Sequence, residues 1–157
     1  MSELCFREAT MADAEQLAAV YRSAFRENRR LGIPHVAESA SESHVADWIR
    51  RSRMYVAESG GDVIAGVRLE DTAAERVKLS RLAVCERWKR RGVGSRLMDY
   101  VEEQIRDSGY STIWLTTPES HPYLLDVYRR RGYEQTGTHP GDRHADEFVV
   151  LEKDLRR

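Results

Sequence analysis

Cysteine is scarce in this chain: Cys5 and Cys85 are its two, and no CxxC spacing exists. A disulfide framework and a cysteine-rich zinc site are therefore unsupported. No apolar run approaches the ~18–20 residues that a membrane-spanning helix requires. The first residues, Met1 to Glu8, lack the basic-then-apolar order of a signal peptide. Charge of one sign is also missing. The 25 Lys and Arg face 26 Asp and Glu, a net charge of −1. That balance argues against a dedicated nucleic-acid binder and leaves room only for a local basic patch. Neither Gly (10) nor Pro (4) is enriched, which excludes collagen-like and low-complexity classes. What is present is a 41% hydrophobic content over 157 residues, enough to offset ordering entropy in one core. The expectation is a single soluble, cytoplasmic domain over residues 1–157, with both thiols reduced.

Residues 4–8 read as a short opening strand. Thr10 with Asp13 resembles a helix-capping pair, ahead of Ala14, Leu17, Val20, Tyr21, Ala24 and Phe25 at helical spacing. That helix is expected to stop before Gly32-Ile33-Pro34. Ser39 with Glu42 is the expected cap of a second helix carrying Val45, Trp48 and Ile49, after a loop over residues 29–38. Residues 54–57 and 63–69 flank Gly60-Gly61-Asp62 as a hairpin. In the next strand, residues 77–84, Val77 and Leu79 share one alternation whereas Leu82 and Val84 share the other. A β-bulge near Ser80-Arg81 produces such a slip, and so does a strand buried on both faces. Both readings stay open.

After Gly92-Val93-Gly94 a helix turns Val93, Leu97, Met98, Val101 and Ile105 inward and stops at Gly109. On it, Glu102 and Arg106 sit four apart in the order that favours an ion pair. Residues 112–116 read as a strand, and 121–131 as a short helix with Leu124, Val127 and Tyr128 on one side. Residues 133–136 and 148–151 look like final strands. The mixture predicts an α/β or α+β domain around one mostly antiparallel sheet.

The strongest local signal is Leu82-Ala83-Val84-Cys85-Glu86-Arg87-Trp88-Lys89-Arg90-Arg91-Gly92-Val93-Gly94-Ser95, which joins a strand to a helix through a basic, glycine-containing loop. Glycine lets backbone approach a ligand closely, and the N–H groups of a helix start favour an anion. Lys89, Arg90 and Arg91 add positive charge, so the loop reads as a phosphate site rather than as a solvated helix start. A Walker loop does not fit, because Gly94 is followed by Ser95-Arg96. Nor does a dinucleotide fingerprint, since Met98 lies where no third glycine is near.

This segment resembles the acyl-CoA-binding motif of the GCN5-related N-acetyltransferases, Gln/Arg-x-x-Gly-x-Gly/Ala after a strand ending in Leu-Ala-Val. A second stretch, Tyr123-Leu124-Leu125-Asp126-Val127-Tyr128-Arg129-Arg130-Arg131-Gly132-Tyr133, is similar to the family's later helix, which closes with Tyr-x-x-x-Gly-Phe/Tyr. The ending Val149-Val150-Leu151-Glu152-Lys153-Asp154-Leu155 resembles its last strand. The order of elements agrees over nearly the whole chain. The resemblance implies a central mixed, mostly antiparallel sheet flanked by helices, with a splayed strand pair that holds acyl-CoA. It implies that Leu82, Ala83 and Val84 pair through backbone with the pantetheine arm. Arg90, Arg91, Gly92, Val93, Gly94 and Ser95 would present main-chain N–H groups to the pyrophosphate, and Tyr128 would be the general acid beside the departing sulfur. No metal is implied.

Two positions depart from the family pattern. Lys89 replaces Gln or Arg, keeping charge but losing a planar fork of donors. His121 stands where Asn is frequent, seven residues before Tyr128; it is read as a contact to the pantetheine amide, with a plain helix-start residue as the alternative. The general base is not readable. Glu70, Glu75, His121 and a water chain are its candidates. His139, Asp142, His144 and Asp146 read as a polar turn around Pro140-Gly141 rather than a metal site. Arg129, Arg130 and Arg131 could meet the 3′-phosphate of CoA, and at least two are expected to face water.

The combined reading is an acyl-CoA-dependent N-acyltransferase that moves acetyl from acetyl-CoA to a primary amine by direct attack in a ternary complex. Cys85 is then structural, having no evident His partner. The acceptor is expected between loop 29–38, the second helix and turn 139–146, whose mixed charges do not name the amine. The expected partners are acetyl-CoA and that amine, without nucleic acid or membrane; a homodimer is left open. A non-catalytic acyl-CoA-binding sensor is the first rival. A nucleic-acid-binding module using the basic stretches 87–96 and 129–131 is the second.

Overall fold

The structure, a computed structural model, describes residues 3–30, 39–119, 121–140 and 147–156. Seven strands form one sheet in the order β1-β2-β3-β4-β5-β7-β6. They are β1 (Leu4–Glu8), β2 (Arg53–Ser59), β3 (Asp62–Ala73), β4 (Arg76–Val84), β5 (Thr112–Pro118), β6 (Glu134–Pro140) and β7 (Glu147–Asp154). The helices are α1 (Ala14–Arg30), α2 (Glu42–Arg51), α3 (Val93–Asp107) and α4 (Leu124–Arg130). Every strand pairing is antiparallel except β4 with β5. The mixed, mostly antiparallel sheet therefore forms as expected.

Alternation along the strands divides the core in two. Met54 and Val56 of β2 pack with Leu17 and Tyr21 of α1 and Val45 of α2. Tyr55 and Ala57, on the other face, pack with Leu97, Val101 and Ile105 of α3. A residue that pairs directly across a ladder shares its partner's face, which fixes the faces of β3 and β4 as well. Close packing of α1 depends on Gly66 in β3. A Cβ built there would fall on Leu17 Cδ1, well inside van der Waals contact.

The helix starts follow local chemistry. Thr10 and Asp13 form a capping box, with Thr10 N donating to Asp13 Oδ2 at 2.7 Å. Arg7 then grips both oxygens of the same carboxylate, at 2.8 and 2.9 Å. For α2 the expected cap is corrected. Ser41, not Ser39, is the N-cap, exchanging hydrogen bonds with His44, each 3.1 Å long.

Two irregularities in β4 shape the molecule. Between the pairs Gly66↔Ala83 and Arg68↔Ser80, β3 contributes one residue, Val67, and β4 contributes two, Arg81 and Leu82. That is a β-bulge, with Arg81 in the left-handed region at φ 55°. The phase slip in the sequence has this cause. Beyond it, β4 and β5 part company. Only Arg76, Val77 and Lys78 pair with Thr112, Ile113 and Trp114; the strands then diverge as an open fork.

Candidate active site

Beside the arm of the fork formed by the end of β4 lies a cavity of about 560 Å³. Leu82, Ala83 and Val84 of β4 form one wall, and Leu124 and Val127 of α4 form the wall opposite. The floor is the loop from Trp88 into α3. Expected cofactor residues Lys89, Arg90, Gly92, Val93, Gly94 and His121 all border the same space. Two others do not. Arg91 lies over the Trp88 ring, 5.1 Å from its centroid, and borders a smaller groove beside the Gly60 turn. Ser95 turns away to accept from Arg131 Nη1 at 3.0 Å.

The start of α3 is built for an anion. Its N-cap is Gly92 at φ 77°, which lacks a capping side chain. The first helical bond runs from Arg96 N to Gly92 O, at 3.0 Å. The amides of Val93, Gly94 and Ser95 consequently have no intrahelical acceptor. Arg90, also left-handed at φ 65°, sets the turn that aims this helix end at the cavity. Lys89 bridges elsewhere as well: its Nζ donates to Ala24 O at 2.9 Å, fixing the loop to α1. Glu86 assists, its backbone N–H donating to Ser23 Oγ at 3.0 Å and its carboxylate pairing with Arg30 at 2.9 Å.

His121 is buried at the far side of the cavity, where its ring meets Tyr123 edge-on at 4.6 Å. Tyr128 is also buried, 7% exposed, but it does not border the cavity. It sits one residue behind Val127, with its ring against Tyr133 at 5.6 Å. Burial pushes its phenol up to about 12, against a smaller opposing pull from Arg131. The expected common face of Leu124, Val127 and Tyr128 is thus divided: Val127 is 38% exposed and borders the cavity, while Tyr128 enters the core.

The candidate bases separate cleanly. Glu75 lies in the β3–β4 turn, where its carbonyl accepts from Ser111 and Thr112, at the closed end of the fork. Glu70 is opposite Lys78, the last residue of β4 that pairs with β5. Among the three, only His121 borders the cavity.

The sequence reading missed Glu102. It is 4% exposed and accepts from Lys153 Nζ at 2.6 Å, Tyr133 OH at 2.9 Å and Arg131 Nη2 at 3.4 Å. The expected Glu102–Arg106 pair does not form; Arg106 bonds Glu103 and the Leu155 carbonyl instead. A signal was available, because Glu102 lies four residues after Met98 and three before Ile105, on the inward stripe. Arg131 is therefore not in water, being held by Asp99 and Glu102.

Residues 15–133 match the sequence model of the Acetyltransferase (GNAT) family. The chain belongs to that family. It is 33% identical to the S-alkylcysteine N-acetyltransferase of Bacillus subtilis (strain 168), over 85% of this chain and 80% of that one. The S-(2-succino)cysteine N-acetyltransferase of the same organism is 31% identical, over 96% of both chains. Among solved structures, the PaiA N-acetyltransferase from Thermoplasma acidophilum in complex with coenzyme A shares the fold. It has a TM-score of 0.80 at 19% identity and covers 97% of this chain and 99% of its own. As a GNAT chain, this protein is an N-acetyltransferase by class.

Among the described residues, no helix is long and apolar enough to cross a membrane, and no group of three or more His, Cys, Asp or Glu could hold a metal ion. Asp142, His144 and Asp146, like most of loop 29–38, lie outside the described residues.

Proposed function

We propose that this GNAT protein transfers acetyl from acetyl-CoA to the α-amine of a small S-substituted cysteine. The observation that carries the donor half is the fork: two diverging strand edges lead to a helix start with uncapped amides and Arg90 beside it. An extended pantetheine arm can add to the open edge of β4 through Leu82 and Val84, as a peptide adds to a sheet edge. The amides of Val93, Gly94 and Ser95 then receive the pyrophosphate. Support for the acceptor half is the pair of Bacillus relatives, whose names both describe an amino acid carrying an amine, a carboxylate and a thioether.

In this reading the neutral amine attacks the thioester carbonyl directly, the C–S bond breaks, and the sulfur leaves as a thiolate that gains a proton. The proton that the sulfur gains is assigned to Tyr128, which follows Val127 on α4. A phenol held near 12 stays protonated across the neutral range. A thiol, ordinarily at ~8.5, is itself raised when its anion is desolvated, which brings the two groups closer in acidity. His121 or a water chain takes the amine's proton.

The test is thiol release from acetyl-CoA with a panel containing S-methylcysteine, S-succinocysteine, a polyamine and an unsubstituted alkylamine. Release dependent on the cysteine derivatives is expected. Coenzyme A binding without release on any amine would replace this reading with the sensor.

A further inference from the structure

The face of the fork opposite α3 carries two guanidiniums and an unpaired hydroxyl whose charge and position the donor site does not use. Arg68 of β3 pairs directly with Met54 on one side and Ser80 on the other. Met54 belongs to the core beneath α1 and α2, so Arg68 and Ser80 share that face. Arg68 is 15% exposed in its side chain, and its Nε donates to Ser52 Oγ at 2.8 Å. Glu70 approaches it at 3.6 Å, longer than a charge-assisted hydrogen bond. Arg81 comes to the same face from the bulge, its guanidinium 4.8 Å over the Trp48 ring of α2. Ser80 Oγ is buried and makes no hydrogen bond among the described residues.

Two cations brought together in partly buried surroundings raise each other's energy. Burial first, and the Arg68 charge second, hold Arg81 below its ordinary range. A carboxylate between them would reverse the second effect and gain planar, multiply donated hydrogen bonds. The position suits an acceptor. Ser80 is two residues beyond the last pair of the fork, and Arg81 adjoins Leu82 on the donor cavity. Arg81 thus extends from backbone that adjoins the donor cavity, and Arg68 extends from the strand position paired with Ser80 beside it.

We propose that Arg68 and Arg81, with Ser80 Oγ, receive the carboxylate of the amino-acid acceptor and so select carboxylated amines. This rests on the acceptor reading above. Trp48 orients the Arg81 plane, and Ser52 orients that of Arg68.

The test compares S-methylcysteine with 2-(methylthio)ethylamine, the same amine without its carboxylate, in the full chain and in its Arg68→Met and Arg81→Met variants. The readout is the ratio of kcat/KM for the two amines, with the KM for acetyl-CoA and a thermal melt alongside. Each variant is expected to lower that ratio roughly ten- to a hundredfold, the range for losing one charged hydrogen-bond donor. Arg68→Lys, which keeps charge without the fork, should fall between. A ratio unchanged while both amines lose equally, or while neither loses, overturns the carboxylate receptor and leaves the acetyltransferase reading intact. Absence of wild-type turnover on either amine overturns both.

Discussion

Tyr21 donates its hydroxyl to the carbonyl oxygen of Arg81 at 2.6 Å, so a fully buried side chain of α1 holds the bulge of β4. A non-glycine residue in the left-handed region is costly by ~1–2 kcal/mol and persists only where its surroundings fix it. Here the carbonyl is held by Tyr21, and the side chain is held against Trp48. Tyr21→Phe keeps the ring and removes the donor. We expect a loss of about 1–2 kcal/mol in urea unfolding, together with weaker coenzyme A binding as the Leu82–Val84 edge relaxes. Undiminished affinity in a destabilised variant would mean that the bulge does not set the donor slot.

How much of this was legible depended on the range of the forces involved. The inward stripe of α3 and the slip at Ser80-Arg81 are periodic features, and periodicity is local. The glycine loop was legible because strand, basic run and helix follow one another in the chain. The inward place of Glu102 on the α3 stripe was legible too, but its partners were not, since Arg131, Tyr133 and Lys153 stand 29, 31 and 51 residues away. The α2 cap depended on His44 Nδ1 acting where a carboxylate is usual. Arg90 borders the cavity and Arg91 does not, a division set by left-handed backbone at Arg90 and Gly92, on either side of Arg91, that no spacing announces.

Gly66 tests the packing of α1 on the sheet. Its missing Cβ makes room for Leu17, whose Cδ1 occupies that space. Gly66→Ala should therefore cost about 1–3 kcal/mol, the usual range for overpacking. Combined with Leu17→Ala, the loss should be less than the sum of the single losses by at least ~1 kcal/mol. Strict additivity in chemical denaturation would show that Leu17 repacks without strain.

Glu102 ties α3 to the end of α4 and to β7 through Arg131, Tyr133 and Lys153. Glu102→Gln preserves shape but leaves two partly buried cations without their shared anion. The expected loss is about 2–4 kcal/mol, somewhat under the figure for a fully buried pair, because Lys153 retains 22% side-chain exposure. A denaturation midpoint within error of wild type would reduce the network to surface electrostatics.

Gly94→Val probes the pyrophosphate seat. A Cβ at Gly94 meets Val84 Cγ2 at 3.5 Å, an ordinary contact, so the fold should tolerate substitution. The added methyl groups would instead occupy the floor of the donor cavity. Coenzyme A affinity should fall by more than tenfold in calorimetric titration. Arg90→Ala, on the cavity wall, should lose roughly ten- to a hundredfold, and Arg91→Ala, stacked on Trp88, distinctly less. Equal losses for the two arginines would point to general electrostatics rather than a defined seat.

Tyr128→Phe separates chemistry from packing. The phenol is buried against Tyr133 and raised to about 12 by burial, so it remains protonated in any assay below pH 10. Losing one positioned proton donor should lower kcat by ~10²–10⁴ with coenzyme A affinity little altered. The same residue leaves a second signature. Its folded pKa lies above the unfolded value of ~10, so the unfolded chain sheds this proton first as pH rises. The stability it confers is complete below pH 10 and is lost progressively toward pH 12, with a slope near 1.4 kcal/mol per pH unit between those values. In Tyr128→Phe that part of the alkaline slope should vanish. A purely structural Tyr128 would lose the slope too but would keep turnover within a few fold of wild type. Measuring kcat under saturating amine, with single-turnover rates to establish that chemistry is limiting, decides between them. Near-normal single turnover would remove Tyr128 from the mechanism and leave it as a core aromatic.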